Sequence, residues 1–332
     1  MILDDKKRIV IVGCGMVGSS IAFTLMQSGI CEEIILVDVN RERAIGEAMD
    51  ISHGIPFSSS QIVRAGDYSD VEEADIVIIA AGRGQIEGES RLDLASTNAR
   101  IVEDIVTIVA LNFFKGVLLI VTNPVDVLTY IAADVMSEIR PGYSKSHVIG
   151  SGTVLDTARL KNILGERLGI SPRNVHAFVL GEHGESEFIA WNGANISGIE
   201  FDVFCHDLPT DPCDGYCERC HEAKEKILCE VRDSAKEIIA RKKATYYGVA
   251  MAVRRICEVI LRDERLVLPV STVLHGEFGQ VNVALSMPCV IGRNGLLAYL
   301  PIALSEKERL SLNTSARQIR EVIEGVKMYD DK

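Results

Sequence analysis

The chain has no long apolar run. Its hydrophobic stretches IVIVG, IVIIAA and GVLLIV are short, whereas a spanning helix needs about 20 consecutive apolar residues. No membrane segment is therefore expected. The chain also lacks a surplus of positive charge: 35 Lys and Arg stand against 47 Asp and Glu, for a net charge of −12. Binding to a phosphate backbone draws on clustered Lys and Arg, so nucleic acid is not an expected partner, and small-metabolite chemistry stays open. The start, MILDDKKRIVIVGCG, shows neither the apolar core nor the small-residue cleavage site of a secretory signal, and a cytoplasmic location is expected. Paired cysteines are not indicated either. Nine is an odd number, and without a signal segment free thiols are expected rather than a disulfide framework. Prolines are few, and no internal repeat or low-complexity tract stands out.

What is present is a chain of 332 residues, 47% hydrophobic, enough for one large domain or two. Its first half alternates regularly. Ile9–Val12, Ile34–Val37, Ile62–Ala65, Ile76–Ala80 and Val117–Val121 read as buried strands. Helical stretches are expected at Val17–Ser28, Leu92–Leu111 and Val125–Ile139. Continuous apolar strands separated by helices indicate an α/β fold with a doubly wound parallel sheet covered on both faces. The second half is less regular. Thr153–Leu168 and Glu222–Ala240 read as amphipathic helices, the latter with Ile227, Leu228, Val231, Ala235, Ile238 and Ile239 on one face. Strands are expected at Val267–Val273, Val281–Ser286 and Met287–Ile291, and a long charged helix at Glu306–Met328. The expected division is a Rossmann dinucleotide-binding domain over 1–150 and an α+β catalytic domain over 151–332.

The clearest motif is RIVIVGCGMVGSSIAF. Gly13, Gly15 and Gly18 stand in GxGxxG spacing between a strand and a helix. The first glycine permits the tight turn, the second lets backbone approach a pyrophosphate, and the third lets helix and strand pack closely. The helix N-terminus offers oriented N–H groups to the phosphates. The second strand runs into Asp38, whose carboxylate can accept hydrogen bonds from both adenosine ribose hydroxyls and would repel a 2′-phosphate. NAD is therefore expected rather than NADP. A bare βα turn without ligand is the alternative, and the strand context with the acidic residue argues against it.

Three further stretches carry candidate chemistry. GEHGESEF sets His183 in a glycine-flanked loop after an apolar run, which suits general acid–base work because imidazole titrates near operating pH. In GSGTVLDTARL, Asp156 and Arg159 are three apart on a helix and share a face. The acid can orient an imidazole and the arginine can grip a carboxylate with two prongs; an ordinary surface ion pair is the alternative. In VTNPVD, Asn123 falls at the expected mouth of the sheet, where its amide can bind a carbonyl or a nicotinamide; a turn before Pro124 is the alternative.

Together GxGxxG, ESRLDL, VTNPVD, LDTAR, GEHG and KATYYGVA occur in the order and spacing of the lactate/malate dehydrogenase family, which the chain resembles over nearly its whole length. GSGTVLDTAR and ATYYGVAMAV are most similar to its bacterial L-lactate branch. The resemblance implies that His183 exchanges a proton with the substrate oxygen while the nicotinamide exchanges hydride with the carbon. Asp156 would hold the imidazole, Arg159 would bind the substrate carboxylate, and Arg91 would arrive on a mobile loop to polarise the carbonyl. Thr245 would wall the substrate pocket. Val17, Arg43, Tyr68, Gly82, Val121, Asn123 and Ser151 match cofactor positions of the family. A homotetramer and a fermentative role beside glycolysis are implied as well.

The choice of substrate turns on AGRGQIEGESR. Family members that take malate carry an arginine six residues before the loop arginine, and Gln85 stands there. A neutral amide can pass over a methyl group but leaves a second carboxylate unpaired, which is costly in a dry pocket. Pyruvate and L-lactate are expected over oxaloacetate and malate. Arg83 is expected outside the pocket, near the cofactor. Ile86 adds apolar surface that would broaden acceptance towards larger 2-oxo acids, so a malate enzyme or a broader L-2-hydroxyacid dehydrogenase is the neighbouring alternative.

Many bacterial members respond to fructose 1,6-bisphosphate through an arginine and a histidine. His176 matches the histidine, and Lys161 replaces the arginine with a point charge that lacks the bidentate fork. A packed interface histidine is the alternative for His176. CHDLPTDPCDGYCERCHE contains a CxxC at Cys217 and Cys220, with Cys213 nearby. That is half of a zinc signature, and reduced cysteines on a surface loop are the expectation, with no metal. A catalytically silent NAD-binding redox sensor is the hypothesis of a different class; the presence of His183, Asp156, Arg159 and Arg91 together argues against it.

Overall fold

The computed structural model describes residues 6–59, 61–84, 91–206 and 218–330. The first half runs β1 (Arg8–Val12), α1 (Met16–Ser28), β2 (Glu33–Val37), α2 (Arg41–Ser52), β3 (Ile62–Ala65), β4 (Ile76–Ile79), α3 (Arg91–Leu111), β5 (Val117–Ile120), α4 (Val125–Ile139) and β6 (Val148–Gly150). The second half runs α5 (Val154–Leu168), β7 (Val175–His176), β8 (Val179–Leu180), β9 (Phe188–Ile189), β10 (Asn195–Ile196), β11 (Ile199–Glu200) and α6 (Phe201–His206). It continues with α7 (Glu218–Lys242), α8 (Tyr247–Arg262), β12 (Leu266–His275), β13 (Val281–Gly292), β14 (Gly295–Tyr299) and α9 (Glu306–Asp330).

Every residue of β2, β4 and β5 is buried. Strands this apolar need cover on both faces, which only a sandwiched sheet provides. Each fully buried Ile or Val contributes about 1.5–3 kcal/mol relative to exposure. The six parallel strands lie in the order β6-β5-β4-β1-β2-β3, so the order reverses between β1 and β4. Helix α8 packs on α1 and β13, burying Ala250, Val253, Ile256, Cys257 and Ile260.

The sheet does not stop at the parallel part. Ser271 of β12 pairs antiparallel with Gly150 of β6, and β13 and β14 follow, making nine strands in one sheet. Here the expectation of two strands over Val281–Ser286 and Met287–Ile291 is corrected: β13 is a single strand. Pro288 invites a break, but it lies opposite Pro269 of β12. A directly opposed pair that exchanges no N–H···O bonds can consist of two prolines without interrupting the ladder.

The amphipathic face expected on α7 is covered only in part. Ile227 and Val231 are buried, while Ile238 and Ile239 are exposed. Helix α9 packs against α3 and β13 and so ties the two halves together. No helix among the described residues is long and apolar enough to cross a membrane.

Candidate active site

The expected cofactor residues gather at the carboxyl ends of the parallel strands, beside the reversal in strand order where ligands bind open α/β sheets. Gly13 follows β1 with φ +100°, and a Cβ there would sit 2.5 Å from the Ala81 backbone nitrogen. A Cβ on Gly18 would lie 1.8 Å from the Gly13 carbonyl oxygen, so α1 packs against the loop with no space to spare. At Gly15, which precedes α1, a Cβ would meet nothing within 4 Å. The first glycine is therefore needed for the approach of the backbone after β4 and the third for packing within the loop, and open space is left beside the second. This cradle fits a pyrophosphate.

Asp38 follows β2 and is half-buried. One carboxylate oxygen accepts from the Cys14 amide at 2.6 Å and the other from the Asn40 amide at 2.8 Å, which fixes the acid against the glycine loop. Tyr68 stands near it: burial first, then the Asp38 and Asp104 carboxylates, raise its phenol above the ordinary range. Val17 packs half-buried on the core. Arg43 lies in the first turn of α2, its amide capped by the Asn40 side chain at 3.2 Å. Gly82 follows β4, Val121 and Asn123 follow β5, and Ser151 follows β6.

One residue that the sequence reading overlooked holds two of these loops together. Asn98, on α3 and 1% exposed, accepts from the Arg83 amide at 3.0 Å and donates to the carbonyls of Arg83 at 3.1 Å and Asn123 at 2.7 Å. The Arg83 guanidinium turns along α3 and bonds Thr97 Oγ1 at 3.1 Å. Gln85 and Ile86 lie outside the described residues, as do Cys213 and Cys217. Arg91 opens α3 and Cys220 lies in α7, but their side chains are not among the described ones.

Three of the candidates, His183, Asp156 and Arg159, lie together. Asp156, in the first turn of α5, is 2% exposed. One of its oxygens lies 2.6 Å from His183 Nδ1, and the other accepts from Arg159 at 2.7 Å. The pair from α5 is thus no surface ion pair. Burial alone would push the imidazole pKa down, but the Asp156 carboxylate outweighs it and raises His183 to about 9. For Asp156, burial opposes ionisation, and His183 and Arg159 together lower its pKa below the ordinary carboxylate range. The His183 ring remains a quarter exposed at the mouth of the site.

A second acid supports the loop. Asp126, the last residue of the VTNPVD motif, is 1% exposed. It accepts from the His183 backbone amide at 2.7 Å and from Ser271 Oγ at 2.6 Å. Burial raises it to about 7, against those two donors. Sequence reasoning singled out Asn123 in this motif and passed over Asp126, whose partners lie 57 and 145 residues away.

Thr245 is half-buried in the link between α7 and α8. Lys161 is half-buried on α5, where burial lowers its ammonium pKa, and His176 is exposed on the edge strand β7, which packs against α5. Among the described residues, no hydrogen bond joins Lys161 or His176 to the His183–Asp156–Arg159 group.

A dinucleotide cradle beside an imidazole held by a buried carboxylate defines a class, the nicotinamide-linked dehydrogenases that move a proton and a hydride together. The comparisons narrow it. Residues 7–150 match the lactate/malate dehydrogenase NAD binding domain, and residues 153–329 match the alpha/beta C-terminal domain of the same family. The chain belongs to the lactate/malate dehydrogenase family. It is 46% identical over 317 residues to an L-lactate dehydrogenase of Thermoanaerobacter sp. (strain X514), covering 96% of this chain and 98% of that one. It is 44% identical over 322 residues to an L-lactate dehydrogenase of Acetivibrio thermocellus, covering 96% of each. Among solved structures, a lactate dehydrogenase from a Medee basin deep-sea metagenome library superimposes with a TM-score of 0.90 at 39% identity, over 97% of this chain and 99% of that one. The minor L-lactate dehydrogenase of Enterococcus mundtii follows with a TM-score of 0.86 at 35% identity, over 96% and 98%.

Proposed function

We propose that the chain interconverts pyruvate and L-lactate with NAD as cofactor. The observation that carries this reading is the buried Asp156, bonded at once to His183 Nδ1 and to Arg159, at the carboxyl end of a sheet whose glycine loop leaves room for a pyrophosphate. The relatives named L-lactate dehydrogenase support the choice of substrate.

Gly13, Gly15, Gly18 and Val17 would hold the cofactor phosphates, Asp38 the adenosine ribose, and Arg43 and Tyr68 the adenosine end. Gly82, Val121, Asn123 and Ser151 would line the nicotinamide side. NAD, when bound, supplies the hydride chemistry. The chain's own residues do the rest. Asp156 accepts from His183 Nδ1, which leaves Nε2 to carry the exchanged proton. His183, kept protonated by Asp156, gives that proton to the pyruvate carbonyl oxygen and takes it back from the lactate hydroxyl. Arg159 binds the substrate carboxylate, and Thr245 closes the pocket beside it. Arg91 polarises the carbonyl where negative charge develops.

Gln85 favours a methyl over a second carboxylate, and Ile86 extends acceptance to longer 2-oxo acids. We further infer a cytoplasmic homotetramer that recycles NADH in fermentation. Its response to fructose 1,6-bisphosphate, through Lys161 and His176, is weakened by the missing arginine fork. The test is His183→Ala: pyruvate-dependent NADH oxidation is lost while NADH binding, read by fluorescence, persists. Retained turnover refutes the assignment of the proton donor.

A further inference from the structure

Behind the His183–Asp156 pair lies a buried acid with no part in the proposed chemistry. Glu187, four residues after His183 and next to β9, is 2% exposed. One of its carboxylate oxygens lies within 4.8 Å of both the Asp156 carboxylate and a His183 ring nitrogen. Its Oε1 is buried without a hydrogen-bond partner, and so is Nε of Arg232 on α7, whose guanidinium donates instead to the Glu187 backbone carbonyl. Glu187 and Arg232 both line a cavity of about 590 Å³ between α7, β9 and α9.

We propose that Glu187 is a positioning residue for the acid–base pair: it sits behind Asp156 as a second carboxyl and extends to higher pH the range over which His183 keeps its proton. The inference rests on the assignment of His183 as proton donor. Two buried carboxylates this close do not both ionise freely. Asp156 holds the charge because His183 and Arg159 bond it directly, and Glu187 keeps its proton. Burial is the largest cause, with the Asp156 charge second, and together they push Glu187 up to about 8 against His183, Arg232 and Arg159. Across the cavity stand Lys224 and Glu225 of α7 and Lys307 and Glu308 of α9. As the pH rises through this range Glu187 ionises, and a negative charge appears beside the imidazole just as the imidazole approaches its own titration. The new charge favours the imidazolium, so His183 stays a proton donor where a lone His–Asp pair would already have begun to fail.

The test is Glu187→Gln, which keeps the shape and removes the titration. The pH dependence of kcat/KM for pyruvate reports the free enzyme's essential groups. Its alkaline limb should move to lower pH by roughly one unit, the scale of a charge at 4–6 Å, with NADH affinity retained. An alkaline limb that stays in place refutes the proposal. If the variant does not fold, or if the parent does not turn pyruvate over, carbon-13 labelling of the glutamate carboxyls in the unmodified chain decides the matter. One glutamate titrating near 8, with that midpoint moving up in His183→Gln, is expected. The absence of such a glutamate overturns the inference. Failure with pyruvate alone would contradict the substrate assignment and leave this titration readable.

Discussion

Replacing Asp156 by Asn keeps the size of a side chain that is 2% exposed and removes its charge. In the parent, His183 titrates at about 9 because the carboxylate 2.6 Å away outweighs burial. Without that charge burial pulls the imidazole down against only the weaker support of the Glu187 and Asp126 carboxylates, so it falls towards its ordinary value of about 6.5. At pH 8 a full return to that value would drop the protonated fraction from about nine-tenths to about one in thirty, so the loss in pyruvate reduction reaches at most about 30-fold, the 2.5-unit shift amounting to about 3 kcal/mol. At about pH 6 both enzymes are mostly protonated, and this part of the deficit disappears. The sign follows from the direction of the shift: a group whose pKa is raised in the folded site loses its proton later, so removing the cause moves the alkaline limb down. NADH oxidation followed by absorbance across this range, at saturating NADH, measures the limb. A deficit of equal size at every pH, with the limb unmoved, would refute the claim that Asp156 sets the proton affinity of His183.

The glycine loop yields a paired prediction. Gly15→Ala places its Cβ in open space, so the fold should keep its stability while NADH affinity falls; Gly18→Ala drives a Cβ into the Gly13 carbonyl and should cost about 1–3 kcal/mol of stability, as overpacking does. Thermal melts with and without NADH separate the two. Arg159→Lys keeps the charge and loses the fork, which should raise KM for pyruvate by about 10- to 100-fold, in line with the 1.5–3 kcal/mol of a hydrogen bond to a charged group; an unchanged KM would place the substrate carboxylate elsewhere. Ser271→Ala removes one of the two donors to Asp126 and should cost about 1–3 kcal/mol by denaturant titration.

Much of this architecture is legible in the amino-acid order, and the gaps have physical causes. Ile76–Ile79 and Val117–Ile120 are readable as strands because their neighbours on both faces demand uninterrupted apolar side chains. The glycine spacing states part of its own geometry: Gly18 is held by the Gly13 carbonyl within the loop and Gly15 faces open space, whereas Gly13 is held by the Ala80–Ala81 backbone after β4. Helix α8 is not marked as one in the sequence reading: it starts beside Tyr246 with no side-chain cap, so the local signal for its beginning is missing. Strands β7 to β11 are two residues long each, too short for alternation to show. Asn98, Asp126 and Glu187 all stand in plain view, two of them inside motifs that were read. Their roles arise only when chain segments far apart in sequence converge, and a local pattern carries no record of that.

The central claim is that an NAD-type fold with a carboxylate-held His183 serves a 2-oxo acid with a small uncharged tail. The most direct measurement is NADH oxidation with pyruvate, oxaloacetate and 2-oxobutyrate in parallel at the same pH, compared by kcat/KM. The account predicts that pyruvate exceeds oxaloacetate by a wide margin, with 2-oxobutyrate close behind pyruvate. A preference for oxaloacetate would contradict the reading of Gln85 and with it the assignment to lactate chemistry.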